Sequence, residues 1–272
     1  MPSRDTTVHT LDGLDLRGTL VVPDSKVNRA AVLVHGGGVT RDESGFFTRM
    51  ADGLAEAGVA SLRFDLRGHG ESEGRQEDLT LSAILNDFRT AIVLVRQETG
   101  AQAVSLLGAS FAGGITGYFA ARGPEPLSRL ILINPLLNYK KRFIDDKPYW
   151  SHDQINDEAA GELAEQGYVA HSPTFKLGRA LLNEVFWLRP DTVLGEITAP
   201  TLVVHGTKDT FIPVESSRAA VKQLRVEHKL VEIEGAQHGI AVHDDPTYAD
   251  PQSQEWQAFT IRTVAEWIAA GS

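Results

Sequence analysis

Gly108-Ala109-Ser110-Phe111-Ala112-Gly113 follows directly on the apolar run Ala103-Val104-Ser105-Leu106-Leu107. A strand that ends in a glycine-flanked serine and turns at once into a helix holds the hydroxyl proud of the sheet edge, where its Oγ is open for attack. Such a turn is tight and needs small neighbours. Position 112, where the Gly-x-Ser-x-Gly pattern has its last glycine, holds alanine, the next smallest side chain, and Gly113 and Gly114 keep the following helix slim. The placement points to nucleophilic catalysis. A solvated serine in a small-residue turn is the plainer account, and the rest of the chain decides between them.

Working outward, Leu14 to Val22 alternates and pairs naturally with the Val8 to Leu11 region as a leading antiparallel strand pair. Ala30–Val34 is a short apolar run ending in His35-Gly36-Gly37-Gly38. Phe47, Met50, Leu54 and Ala57 sit at helical spacing, with Gly58 as the stop. Strand patterns recur at Val59–Phe64, Leu130–Ile133, Thr201–Val204 and Lys229–Ile233. Between them Leu81, Ile84, Leu85, Phe88, Ile92 and Val95 mark one long helix, and Trp256, Phe259, Thr263, Val264 and Trp267 mark the face of a closing one. Apolar strands alternating with amphipathic helices predict an α/β fold, a mostly parallel sheet covered on both faces. Ligands in such sheets lie beyond the carboxyl ends of the strands.

One interval breaks the alternation. From Leu136 to Gly195 no strand pattern stands out, and helical patterns run over Asp157–Gln166 and Phe175–Trp187, separated by Ser172-Pro173. Roughly 60 residues is far longer than the usual connection of about 4–6. The expectation is a helical cap at 136–195 inserted over the site, with 1–135 and 196–272 forming the core.

A serine hydroxyl needs a base within hydrogen-bond reach, itself held by a third group. Of nine histidines, His238 in Gly235-Ala236-Gln237-His238-Gly239 follows the last strand on a glycine-rich loop at the same edge as Ser110. His35 and His205 end strands just before glycine, where a histidine usually shapes the turn, and His69 sits in a Gly-x-Gly turn. Asp209, in the loop after the preceding strand, can accept from the imidazole Nδ1–H; its plainer role is to cap the helix near Pro213-Val214. The order Ser110, Asp209, His238 is that of the Ser…Asp…His arrangement on such sheets. For an oxyanion, the N–H of Phe111 at the start of a helix is one donor. Gly37 is the first choice for the other, with Gly36 or Gly38 in play through a shift of one residue.

The chain of 272 residues is 42% hydrophobic and 23% charged, enough for one sizeable core. Its 36 acidic against 26 basic residues give a net charge of -10, which argues against nucleic acid as a partner. An anionic substrate would be repelled unless the site supplied local positive charge. The absence of cysteine excludes disulfides, a thiol nucleophile and thiolate metal sites. No apolar run approaches the roughly 20 residues of a membrane span. Met1–Thr7 lacks the apolar stretch of a secretory signal, so the expectation is a cytoplasmic protein without a membrane partner.

Five motifs in this order, His35-Gly36-Gly37-Gly38, Asp65-Leu66-Arg67-Gly68-His69-Gly70-Glu71-Ser72, Gly108-x-Ser110-x-Ala112-Gly113, His205-Gly206-x-x-Asp209 and Gly235-x-x-His238-Gly239, resemble the α/β-hydrolase superfamily over nearly the whole chain. Within it the chain looks most like the capped group of cinnamoyl and feruloyl esterases and monoacylglycerol lipase-like enzymes. The resemblance implies Ser110 as nucleophile, His238 as base and acid, Asp209 as orienting carboxylate, and Gly37 with Phe111 as oxyanion donors. It implies no cofactor or metal and a small-molecule acyl ester as substrate; the cap surface is compatible with a homodimer. Lys140–Trp150, a mixture of acidic, basic and aromatic residues, has no clear match among the cap residues that grip a phenolic acyl group. Thioesterase, amidase, peptidase or acyltransferase activity would use the same triad, whereas a carboxylate-nucleophile enzyme is disfavoured by serine at 110. A silent binding module on this fold would usually lack a triad member.

Overall fold

A computed structural model describes residues 3–270. In chain order the strands are β1 (Ser3–His9), β2 (Asp15–Val21), β3 (Arg29–Val34), β4 (Val59–Phe64), β5 (Ala103–Ala109), β6 (Leu130–Ile133), β7 (Trp150–Ser151), β8 (Gln154–Ile155), β9 (Tyr168–Ser172), β10 (Phe175–Gly178), β11 (Thr201–Gly206) and β12 (His228–Ile233). The α-helices are α1 (Phe46–Glu56), α2 (Leu81–Thr99), α3 (Ala112–Arg122), α4 (Asp157–Glu165), α5 (Arg179–Glu184), α6 (Val214–Val221) and α7 (Pro251–Ala269). Eight strands form one sheet in the order β1-β2-β4-β3-β5-β6-β11-β12. The β1–β2 and β2–β4 pairs are antiparallel and the remaining pairs are parallel.

Strand alternation divides the core. Ile131, Ile133, Leu202 and Val204 face α1 and α7, while Leu130, Leu132 and Val203 face the other side with Ala220 of α6. Val32, Val34, Leu106, Ile84, Phe88 and Ile115 extend that second side under α2 and α3. Both faces of the inner parallel strands are therefore dry, which is why they read as continuous apolar runs, while the edge strand β12 is partly exposed. Among the described residues no helix is long and apolar enough to cross a membrane.

Two expectations need correction. The segment 136–195 is not wholly helical: besides α4 and α5 it carries the hairpins β7–β8 and β9–β10. Phe175, taken as the start of a helix, opens β10, and Ser172-Pro173 lies in the turn of its hairpin. The aromatic spacing that read as helix reflects alternate burial on a short strand, with Phe175 and Leu177 buried. On α7 the buried stripe is Gln257, Thr260, Ile261, Val264 and Ile268, while Phe259 is 45% exposed and both tryptophans are half-buried. Ile261 packs on the bare backbone of Gly53 on α1, where a Cβ would lie 2.3 Å from its methyl group.

The Asp65–Ser72 motif is a structural knot. Arg67 spans the fully buried Asp87 of α2 and Asp12 of the β1–β2 turn. Asp65 accepts from the Arg41 N–H and the Glu71 N–H, and its own carbonyl accepts from the Ser72 hydroxyl (2.6 Å). These bonds fix the chain leaving β4 against the chain leaving β3.

The turn after β5 is fixed by the insert. Tyr139, fully buried, donates to the Phe111 carbonyl (2.6 Å) and accepts from the Ile115 N–H (2.7 Å). Gly113 and Gly114 let α3 approach: a Cβ on Gly113 would lie 2.5 Å from Pro135, and one on Gly114 would lie 2.4 Å from the Leu136 carbonyl oxygen. Gly114→Ala is expected to destabilise the protein by about 1–3 kcal/mol, because the overlap is with backbone and exceeds the roughly 1 kcal/mol helix-propensity gain of alanine. Gly161→Ala in α4, where a Cβ meets nothing within 4 Å, is expected to be neutral or stabilising. Urea unfolding of both variants checks the pair of signs.

Candidate active site

Ser110 stands where β5 ends and α3 begins, with a left-handed φ of +51°. A non-glycine residue there is held against its preference and persists only when its surroundings over-determine it. Its N–H donates to the Ile133 carbonyl (2.9 Å), and its carbonyl accepts from Gly113 N–H (3.0 Å) and Leu136 N–H (2.9 Å). With the backbone so pinned, the hydroxyl projects toward the loop after β12. His238 on that loop places Nε2 2.9 Å from Ser110 Oγ and Nδ1 2.8 Å from Asp209 Oδ2. The three residues are 128 and 29 positions apart in sequence and meet in one hydrogen-bonded line.

Asp209 has no exposed side-chain surface, and its four acceptor sites are filled. Oδ2 takes His238 Nδ1 and Asn134 Nδ2 (2.6 Å); Oδ1 takes the N–H groups of Phe211 (2.8 Å) and Ile212 (2.9 Å). Burial favours the neutral acid, but the donors of His205, His238 and Ile212 outweigh it and hold the carboxyl well below the usual range. The His205 Nε2 is 3.5 Å from Asp209 Oδ2 yet only 2.8 Å from the Ile212 carbonyl, so its proton belongs to Ile212 and its effect on Asp209 is the weaker, longer contact. Asp209 thus braces the turn before α6 through Phe211 and Ile212 and faces the imidazole, but it does not cap α6, whose N-cap is Pro213.

Around the glycine run the N–H groups are sorted. Gly36 donates to Glu43 Oε1 (2.7 Å) and Gly38 to His69 Nε2 (3.1 Å). Gly37 N–H and Phe111 N–H have no acceptor among the described residues. The one-residue ambiguity of the sequence therefore closes on Gly37 as the free donor. Gly36 lies against the serine, since a Cβ there would sit 3.1 Å from Ser110 Cβ, and a Cβ on Gly37 would strike the Phe175 ring at 2.6 Å. His35 is fully buried, its Nδ1 on the Gly36 carbonyl (2.7 Å) and its Nε2 accepting from Leu66 N–H (2.9 Å); burial pushes it down to about 3, so it is neutral. Both His35 and His69 shape turns, as their positions before glycine indicate.

Sequence reasoning missed Asn134, Glu43 and Tyr139. Asn134 could have been flagged, because it is polar at the carboxyl end of an apolar strand on the same edge. Glu43 could not: acidic residues are ordinary in turns, and nothing marks the positive φ of +45° that turns it inward. Tyr139 carries no local signal at all. Glu43 and Tyr248 line, with Gly36, Ser110, Phe211 and His238, a cavity of about 160 Å³ at the serine. Burial raises the carboxyl of Glu43 despite the Gly36 N–H, and the buried Tyr248 hydroxyl is raised as well. Among the described residues no group of three or more histidine or carboxylate side chains is arranged to hold a metal.

Chemically, the line Asp209–His238–Ser110 can move the hydroxyl proton onto Nε2 while the buried carboxylate stabilises the imidazolium that results. Two free N–H groups, one at the positive end of α3, flank the same serine.

The chain is 25% identical to the monoacylglycerol lipase of Mycolicibacterium smegmatis over 91% of its own length and 90% of that protein's. Among solved structures it resembles Est1E of Butyrivibrio proteoclasticus with ferulic acid bound, with a TM-score of 0.76 at 22% identity over 96% and 99% of the two chains. It also resembles the monoacylglycerol lipase of Paleococcus ferrophilus, with a TM-score of 0.66 at 23% identity over 94% and 99%. At these identities the structures speak for the fold. Residues 25–245 match the family model described as serine aminopeptidase, S33, and the chain therefore belongs to that family of serine hydrolases on the α/β-hydrolase fold.

Proposed function

We propose that the protein hydrolyses a carboxylic ester through an acyl-enzyme formed on Ser110. The observation that carries this is the continuous line from the Asp209 carboxylate through both His238 nitrogens to Ser110 Oγ, at 2.8 and 2.9 Å. Ser110 attacks the carbonyl as His238 takes its proton; the oxyanion rests on the N–H groups of Gly37 and Phe111; His238 then protonates the leaving alcohol and later activates water. The insert at 136–195 acts as the cap of this site. Ester rather than peptide is favoured by the monoacylglycerol lipase relative, which is similar along nearly its full length. Thioesters and amides meet the same nucleophile, so a panel of aryl, alkyl, thio and amide acyl donors ranks them.

A fluorophosphonate probe is expected to modify the wild-type protein at Ser110. Ser110→Ala is expected to lose labelling and on the order of 10⁶ in kcat on any ester turned over, since triad members act as a unit. Ester hydrolysis by that variant near the wild-type rate would falsify the assignment.

Glu43 supports the proposed donor indirectly, by holding the neighbouring Gly36 N–H. Its raised carboxyl gives a pH signature with a definite sign. The native state binds this proton more tightly than the unfolded chain, so the associated stability is complete below the ordinary carboxylate range and is lost as pH rises through the raised native value. Glu43→Gln keeps an acceptor and cannot ionise. Relative to wild type it is expected to gain stability as pH rises above the ordinary carboxylate range. Asp209 titrates in both proteins and cancels from the difference. Urea midpoints measured as pH rises check it; a flat difference overturns the account of Glu43.

A further inference from the structure

Among the cations of the insert, Arg179 donates to the Ala160 carbonyl and Lys176 stacks on Tyr168, and the five near Lys140–Lys147 and Arg189 divide into paired and unpaired. Lys140 is paired with Asp145 and Asp153, each at 2.7 Å, and Lys141 with Asp146. Arg189 is paired with Asp191. The nearby carboxylates are thereby taken, while the guanidinium of Arg142 and the ammonium of Lys147 have no hydrogen-bond or ion-pair partner among the described residues. Arg142 Nε is fully covered and unsatisfied. Asp146 and Asp209 act on Arg142 only at longer range.

The position of this unpaired charge is specific. The Arg142 guanidinium lies 4.0 Å over the Phe211 ring, and Phe211 lies 4.9 Å from the His238 ring and lines the cavity at Ser110. His171, packed edge-on against Phe143 and Phe211, adds a buried Nδ1 without a partner. A half-buried guanidinium left unpaired is costly, and arginine in particular presents a planar fork suited to a carboxylate. Stacking on Phe211 holds that fork one ring away from His238. The chain as a whole carries a charge of -10, so an anionic substrate would need local positive charge of this kind.

We propose that Arg142, with Lys147 beside it, is a subsite for a carboxylate on the substrate, so that the enzyme prefers esters bearing a negative charge to neutral esters of the same size. This rests on the ester-hydrolase reading above. The carboxylate belongs to either the acyl or the alcohol part, and two pairs of probes separate these sources. Para-nitrophenyl hemisuccinate against para-nitrophenyl butanoate reads the acyl side. The para-carboxy derivative of phenyl acetate against phenyl acetate itself reads the alcohol side.

For one of the two pairs the wild-type kcat/KM is expected to favour the charged ester, and that preference to shrink as salt is raised. In Arg142→Gln the charged-to-neutral ratio is expected to fall roughly ten- to a hundredfold, and Arg142→Lys is expected to restore part of it. The salt series needs no variant and stands if a substitution impairs folding. A wild-type enzyme that is labelled at Ser110 but shows no charged-ester preference in either pair overturns the subsite alone. So does an Arg142→Gln ratio equal to wild type, which would leave the arginine a structural group. Failure of both labelling and ester turnover overturns the underlying reading as well.

Discussion

The bond from Ser110 N–H to the Ile133 carbonyl, together with the two bonds its own carbonyl accepts, holds a serine in a conformation it would otherwise leave. A left-handed φ at a side-chain-bearing residue is unfavourable by roughly 1–3 kcal/mol and has to be offset by the surroundings. Here the offset comes from the neighbouring strand β6 and from Leu136 just after it, so the elbow depends on the strand order. If β6 did not lie beside β5, neither the Ile133 carbonyl nor the Leu136 N–H would reach. Asn134, which follows the same strand, bonds Asp209 through its amide, so one strand end positions both Ser110 and Asp209.

Ser110, Asp209 and His238 follow β5, β11 and β12, with β6 between the first two, so the three segments leave neighbouring strands of one sheet. Parallel strands deliver their carboxyl ends to one edge. The remaining task is to set loop lengths, which Gly235 and Gly239 ease with φ of +83° and +75° around His238. The buried carboxylate needs more than this, because it requires four donors, two of them from its own turn and one from Asn134. That concentration of donors keeps a buried charge tolerable, and it keeps the imidazole oriented.

The parts legible in the sequence are those written in short-range pattern. Apolar strand runs, glycine-bounded turns and the chain order of Ser110, Asp209 and His238 are local features whose spatial meaning follows from the parallel-sheet rule. The interval 136–195 is visible in the sequence as a break in that pattern, but its mixture of hairpins and helices is not. Hairpins as short as β7–β8 and β9–β10 carry too few alternations to distinguish a strand from one face of a helix, and Phe175 was misread for that reason. The α7 face was misread because bulk was taken for burial, whereas tight helix contact against Gly53 favours Ile261 and the small and polar residues near it. Glu43 and Tyr139 were illegible for a deeper reason. Their roles are set by backbone conformation and by tertiary contacts, Glu43 with the Gly36 N–H and Tyr139 with Phe111 and Ile115, that no local pattern announces.

Tyr139 shows how the insert and the core depend on one another. It begins the insert, yet its hydroxyl bridges the carbonyl of Phe111 and the N–H of Ile115 at the start of α3. Phe175, further along the insert, packs on Phe111 and occupies the space a side chain at Gly37 would need. Glu184 reaches back to bond the first N–H groups of α2, and Gln76 exchanges hydrogen bonds with Thr174 and Lys176. The segment is thus fastened to the glycine run and to the helices α2 and α3. A substitution at Phe175 would also disturb Gly37 and Phe111, which it packs against. Arg142 escapes this coupling. It touches the site through Phe211 and through charge alone, which makes it the position where selectivity can change while the geometry around Ser110 stays as it is.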